Sequence, residues 1–254
     1  MKAQILSTGD EILLGDLVDT NSGFLCGRLR QAGISVIRVS AVGDNLELIA
    51  QSLVGISKEA DLCLVTGGLG PTPDDLSAAA CARALDQDLV LNSQALSSME
   101  AYFEKRGFEL TKENKKQAML PGSAGVLVNQ RGTAPGFYAK IGKCLFFFMP
   151  GVPSEMKFMF DNMVLPRLQE AFKLDLSLYI ERLMVFGLGE SMVGAKLRAF
   201  SDLFPGIRLG FRAGFPCVEV KLVMQQQDAD AKEKMARAKA WAAEQLEGRV
   251  FSLE

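Results

Sequence analysis

The sequence predicts an α/β protein built on a doubly wound, mostly parallel sheet and followed by a small α+β domain. Three observations predict it. Strand-like apolar runs alternate with helical apolar spacing through the first two thirds of the chain. One run, Leu62-Cys63-Leu64-Val65, is apolar at every position, as suits a strand buried on both faces of a parallel sheet. Four polar, glycine-containing turns, TGDE, VGDN, TGGLGPTPDD and MPGVP, each follow a strand. In a doubly wound sheet such turns gather at the carboxyl edge, where ligands bind.

The elements follow in order. Gln4–Ser7 reads as the first strand. Thr20–Ala32 reads as a helix, because Phe24, Leu25, Leu29 and Ala32 share one face. Ser35–Val42 is a strand, and Leu46–Ala60 a helix that turns Leu46, Ile49, Ala50, Leu53 and Ile56 inward. Leu62–Val65 is the short buried strand, and Asp74–Leu85 an alanine-rich helix. Helical patterns cover Gln94–Lys105 and Lys112–Leu120. Three strand-like runs follow, Val126–Val128, Phe137–Ile141 and Leu145–Met149, before a long helix over Ser154–Phe172. The pattern changes near Asp175. Strands at Leu178–Val185, Ile207–Phe211 and Val218–Met224 mix with helices at Ser191–Phe200 and Ala229–Leu246, which suits a small α+β domain. The expected domains are 1–173, carrying the site, and 174–254. A strand begins again at Arg249–Leu253, so the chain reads as a piece of something longer.

Composition narrows the chemistry. Of 254 residues 48% are hydrophobic and 23% charged, with a net charge of -2, so no basic nucleic-acid footprint is present. No apolar run approaches the ~20 residues of a membrane span, and the N-terminus lacks the apolar core of a signal peptide. The expectation is a cytoplasmic protein with neither nucleic acid nor membrane as partner. The five cysteines, at 26, 63, 81, 144 and 217, are scattered and odd in number, unlike a disulfide framework or a CxxC zinc site. The chain has no histidine. That excludes a Ser-His-Asp triad, a Cys-His pair and histidine-ligated metal. Chemistry must rest on carboxylates, Lys/Arg, Ser/Thr, backbone amides or a bound ion.

In TGGLGPTPDD, Thr72-Pro73-Asp74-Asp75 reads as a helix start, with a threonine cap, proline at N1 and acids in the first turn. That leaves Gly67, Gly68 and Gly70 unexplained. Three glycines in a strand-to-helix turn leave backbone N–H groups bare for a phosphate. Gly9-Asp10-Glu11 and Gly43-Asp44-Asn45 follow earlier strands and could each be a turn with a cap, as could Asp19-Thr20-Asn21. No Walker A loop and no GxGxxG is present.

Five separated segments, STGDEILLGDLVDTN, VGDN, TGGLGPTPDD, NKKQAMLPGSAGVLVNQRGTAPGF and MPGVPSEMKFMF, resemble the competence/damage-inducible CinA family, in the family's order. The resemblance implies a molybdopterin-binding, MoaB/Mog-like fold for the first domain and a KH-like middle domain for residues 174–254. Many members carry a further nicotinamide-mononucleotide deamidase domain; no segment here resembles it, so that activity is not carried over. Ser77 stands where members usually have threonine. The implied activity is metal-dependent hydrolysis of a nucleotide pyrophosphate, ADP-ribose, to AMP and ribose 5-phosphate. The implied cofactor is a divalent ion (Mg2+, Mn2+ or Co2+), with K+ as a further candidate. The fold's other use is binding or transfer of molybdopterin or its adenylated form. The implied partners are a small ADP-ribose-like substrate and, by analogy with the fold, a second copy in a homo-dimer.

A charge argument favours the metal. A phosphate at the glycine turn would lie close to Asp74 or Asp75, and two like charges ~4 Å apart repel by about 4 kcal/mol at an effective dielectric of ~20. A helix dipole returns at most ~2 kcal/mol. A cation between them reverses the sign and activates water. On this reading Asp10, Glu11, Asp44 and Asp75 are the catalytic candidates, and Asp44, Asp74 and Asp75 the metal ligands. Gly67, Gly68, Gly70 and Thr72 bind phosphate. Gly9, Asn21 and Gly151 in the neighbouring turns complete the nucleotide set, and Lys115 or Arg131 neutralises charge. Two other readings stay open: a molybdopterin carrier without hydrolysis, and a scaffold without catalysis.

Overall fold

The structure, a computed structural model, describes residues 1–172, 178–225 and 230–252. The chain divides into two compact units. One comprises Met1–Arg30 and Ile34–Lys173, the other Leu174–Glu254 together with Gln31–Gly33. The boundary read between 173 and 174, the helix start at Ala229 and the strand end at Leu253 lie outside the described residues.

In the first unit the order is β1 (Lys2–Thr8), α1 (Asp10–Leu13), α2 (Thr20–Gln31), β2 (Ser35–Val42), α3 (Leu46–Glu59), β3 (Leu62–Thr66) and α4 (Ser77–Leu85). Next come β4 (Leu89–Leu91), α5 (Ser93–Glu104), α6 (Lys112–Lys115), a 3-10 turn over Lys116–Ala118 and β5 (Met119–Pro121). The unit closes with β6 (Gly125–Leu127), β7 (Gly136–Ile141), β8 (Cys144–Met149), α7 (Pro153–Met159), a π-helical turn over Phe160–Val164 and α8 (Leu165–Phe172).

Six strands form one sheet in the order β2-β1-β3-β8-β7-β6. The first four are mutually parallel, and β7 and β6 add antiparallel at the edge. Both faces are covered, and β3 is buried at every position. Leu6, Cys63, Val65, Phe146 and Phe148 join Ile49, Leu53, Ala80 and Met99 in one core. The alternating residues Ile5, Leu64 and Phe147 point to the other face by the strand's two-residue period, and they too are buried. Phe137 and Phe148 stack at 4.3 Å between ring centroids, on the sheet positions directly opposite each other.

Two expectations fail in this unit. The Lys112–Leu120 pattern is not one helix. It breaks into α6, the 3-10 turn and β5, because Met119–Pro121 pairs with Leu89–Leu91 in a separate two-stranded sheet. Nor does α4 begin at the threonine-proline-aspartate signature; its first residue is Ser77 and its N-cap position is Leu76.

The second unit runs β9 (Leu178–Phe186), α9 (Glu190–Lys196), α10 (Phe200–Leu203), β10 (Ile207–Gly214), β11 (Cys217–Gln225), α11 (Ala231–Gln245) and β12 (Val250–Ser252). Its four strands form an antiparallel sheet, order β10-β11-β9-β12. Leu183, Val185, Val220 and Leu222 pack there with Met235, Ala238 and Ala242 of α11. The helix expected over Ser191–Phe200 is two short helices separated by Leu197–Ala199.

Candidate functional site

Because β2, β1, β3 and β8 are parallel, the turns Gly43–Asn45, Gly9–Glu11, Gly67–Asp75 and Pro150–Pro153 emerge at one carboxyl edge of the sheet. Buried hydroxyls hold the base of that edge. Ser77 Oγ donates to the Gly67 carbonyl at 2.9 Å and lies 3.3 Å from Thr8 Oγ1, which itself donates to the Thr66 carbonyl. Ser7 Oγ donates to Asp19 at 2.7 Å, and Asp19 also accepts the Ser22 amide, capping α2. Burial pushes the Asp19 carboxyl up, but the hydrogen bonds from Ser22, Ser7 and the Asn21 amide outweigh it and hold the group below its ordinary value.

The glycine turn is shaped by close approach of the chain to itself. Gly67 and Gly68 have φ of +100° and +65°, in the left-handed region. A Cβ on Gly67 would collide with the Thr8 carbonyl oxygen, and one on Gly68 with Ser77 Oγ. Gly70 lies against the Asp75 carboxylate. The glycines that sequence reasoning reserved for a ligand therefore each have a packing reason as well.

The packing also aims the amides. The carbonyls of Gly67 and Gly68 accept from Ser77, and that of Leu69 accepts from Gln117 Nε2 at 3.1 Å. In a trans peptide the following N–H points the opposite way. The N–H groups of Gly68, Leu69 and Gly70 are thus turned away from the protein contacts, and among the described residues no acceptor meets them. Three consecutive amides left without an internal acceptor are donors that an anion could use.

Asp75 does not sit in a helical first turn. Its Oδ2 accepts the Thr72 amide at 2.8 Å and the Thr72 hydroxyl at 2.5 Å, closing residues 72–75 into a tight turn. The Asp74 carboxyl is held below its ordinary value by the Thr72 hydroxyl, its own amide and the Lys116 ammonium. The same Thr72 hydroxyl lies 2.5 Å from Asp75 Oδ2, so the two carboxylates compete for its one proton. The lysine at this loop is Lys116, one residue beyond the expected Lys115, which is exposed at the end of α6. Arg131 is not aimed at the glycine turn. Its guanidinium covers the Phe158 ring, 4.5 Å from the centroid.

Asp10 and Asp44 grip each other across the β1 and β2 turns. The Asp10 amide donates to Asp44 Oδ2 at 3.1 Å, and the Asp44 amide to Asp10 Oδ1 at 3.0 Å. Burial pushes the Asp44 carboxyl up. The Asp10 amide opposes this, and the negative charges of Asp10, Glu11 and Asp74 add to it. The Glu11 carboxylate lies over Gly9, whose φ is +145°. On the far side, Asn21 Nδ2 donates to the Gly151 carbonyl at 2.7 Å, tying α2 to the β8 turn.

Asp44, Asp74 and Asp75 are not gathered as a metal-ligand set: among the described residues no three His, Cys, Asp or Glu side chains converge on one point. The reason is local, since Asp75 is turned onto Thr72 and Asp44 onto the Asp10 amide. A hard divalent ion of the magnesium kind takes one or two carboxylates and completes its shell with ligand phosphates and water, so Asp10 and Asp44 are the residues at this edge that could hold one.

Sequence reasoning missed Thr8, Ser77, Lys116 and Gln117 as working parts of the edge. In the loop before β7, where it named only Arg131, it missed Asn129, whose Oδ1 accepts the Arg131 and Gly132 amides and whose Nδ2 donates to Glu155 at 2.6 Å. A polar residue inside a small apolar run, as in Leu76-Ser77-Ala78, was the available signal for Ser77.

Among the described residues no helix is long and apolar enough to cross a membrane. Residues 4–170 match the family model described as "Probable molybdopterin binding domain". A "CinA-like protein" of Desulforapulum autotrophicum is 46% identical over 227 residues, covering 87% of this chain and 54% of that protein. One of Escherichia coli O17:K52:H18 is 44% identical over 241 residues, covering 95% of this chain and 58% of the relative. The chain thus spans little more than half the length of these curated relatives. The crystal structure of the protein CinA with unknown function from Thermoplasma acidophilum is 32% identical, with a TM-score of 0.61 over 65% of this chain and 98% of that one. The chain belongs to the CinA family, and its first unit is a domain of the molybdopterin-binding family.

Proposed function

We propose that the first unit binds a phosphate-bearing pterin or nucleotide of the molybdopterin class at the carboxyl edge of its sheet. The observation that carries this reading is the row of Gly68, Leu69 and Gly70 amides, turned outward by Ser77 and Gln117. A phosphate there meets backbone donors that need no reorganisation. Two buried amide oxygens at the same edge, Asn21 Oδ1 and Gln117 Oε1, have no hydrogen-bond partner among the described residues. Both side chains must present their NH2 to a carbonyl, so the oxygen is what remains.

A second reading, hydrolysis of ADP-ribose to AMP and ribose 5-phosphate, is favoured by Asp44. A carboxyl raised by burial and by three neighbouring acids is suited to receive a proton at a bond-breaking site. Asp10 would orient it through the reciprocal amide contacts, and the outward amides would hold the pyrophosphate. A divalent ion, held by Asp10 and Asp44 together with phosphate oxygens, would supply charge neutralisation and an acidified water.

One experiment separates the readings. The chain is titrated with ADP-ribose with Mg2+, Mn2+ or Co2+, and with a chelator, while AMP release is followed. Binding without AMP supports the carrier reading, and metal-dependent AMP release supports hydrolysis. Neither binding nor release under any condition contradicts both.

A further inference from the structure

A loop that offers amides to an anion, yet carries Asp74 and Asp75, needs a positive charge beside it. The fold supplies one from the chain itself. Lys116 Nζ donates to the Thr72 carbonyl at 2.5 Å and to the Asp75 carbonyl at 3.1 Å. The next residue, Gln117, is only 7% exposed and donates to the Leu69 carbonyl, leaving Oε1 without a partner among the described residues. Two consecutive residues of the 3-10 turn therefore hold three carbonyls of the glycine loop. An ammonium has three donors, and two are used here.

We infer that Lys116 is the counter-cation of the loop: it offsets Asp74 and Asp75 and presents its third N–H to the ligand's phosphate. This rests on the reading that the glycine turn takes a phosphate. It goes beyond that reading in assigning the positive charge to a side chain, so that anion binding does not require a metal. The adjacent Gln117 fixes where the ammonium stands, since both straddle the same loop. The arrangement also links the α5–β5 segment to the loop, because the 3-10 turn leads directly into β5.

The test uses the full chain and inorganic pyrophosphate as probe, first in a chelator and then with Mg2+ in its place. The unaltered chain should bind pyrophosphate. Lys116→Met should weaken binding by about tenfold or more, the worth of one hydrogen bond to a charged group. Lys116→Arg should restore most of the affinity. Adding Asp74→Asn to Lys116→Met should restore part of it, a charge effect that a merely structural lysine would not produce. Should Lys116→Met fail to fold, Asp74→Asn alone decides: it must tighten binding, and unchanged affinity overturns the inference. Lys116→Met binding like the unaltered chain also overturns it. So does binding that vanishes with chelator and returns with Mg2+, which makes the metal the counter-cation. No binding with or without metal removes the phosphate reading itself.

Discussion

Replacing Gly67 by alanine isolates what the glycine turn is for. Its φ of +100° is one that an alanine adopts at a cost of about 1–3 kcal/mol. The new Cβ would also lie 2.8 Å from Thr8 Oγ1 and closer still to the Thr8 carbonyl oxygen, which is backbone of β1 and cannot rotate away. Overpacking of this kind adds about 1–3 kcal/mol. The sum, roughly 2–6 kcal/mol, corresponds to a fall in unfolding temperature of roughly 4–24 °C at ~2–4 °C per kcal/mol for a domain of this size. Gly151 is the internal control. Its φ is not in the left-handed region, and a Cβ there meets nothing nearer than the Gly67 Cα at 3.6 Å, so Gly151→Ala should stay within about 0.5 kcal/mol of the unaltered chain. Differential scanning calorimetry reads both variants, with pyrophosphate binding measured on each. A Gly67→Ala protein that melts with the unaltered chain would refute the claim that the turn is shaped by its approach to Thr8.

Asp44→Asn should change the pH dependence of stability. A carboxyl raised in the folded state contributes stability that is complete below its unfolded value of 3.8 and is lost as pH rises through the folded value. Asparagine keeps an acceptor for the Asp10 amide but cannot ionise, so its advantage over aspartate should grow as pH rises from 3.8; melting curves that stay parallel would contradict this. The thiols should separate into two classes under a disulfide-exchange reagent. Cys63, Cys81 and Cys144 are buried, with burial pushing Cys63 well above its ordinary value and Cys81 and Cys144 up to about 12, so only Cys26 and Cys217 should react in the native state. Fast labelling of a third thiol would contradict the core assignment. Phe148→Ala should cost about 3–5 kcal/mol, since it removes a fully buried ring stacked on Phe137; a urea midpoint near that of the unaltered chain would show that the stack is dispensable.

The parallel sheet was legible because its strands leave strong patterns. Ser35–Val42 is found with the expected bounds, and Leu62–Val65 needs only Thr66 added. Leu62–Val65 stands out as an unbroken apolar run, which a sheet covered on both faces allows. The short β4 was invisible, because three residues carry too little pattern and its partner Met119–Pro121 lies far along the chain. The site was half legible. The convergence of four turns follows from strand direction alone, so it could be read in advance. The roles inside TGGLGPTPDD could not. Thr72-Pro73-Asp74-Asp75 carries every local mark of a helix start, yet Asp75 folds back onto Thr72, and the buried Ser77, held by Gly67 and Thr8, fixes where α4 begins. Lys115 and Lys116 are adjacent and both exposed. Only the placement of the 3-10 turn against the loop decides which one reaches it.

The central claim, a phosphate on the outward amides of the glycine turn, is tested most directly by backbone amide resonances during a titration of the full chain with ADP-ribose. The account predicts the largest shifts at Gly68, Leu69 and Gly70, with smaller ones at Asp10 and Asp44, and the same glycine shifts with pyrophosphate alone. Shifts confined to residues 178–252, or an unperturbed Gly68–Gly70 segment at saturating ligand, would contradict it.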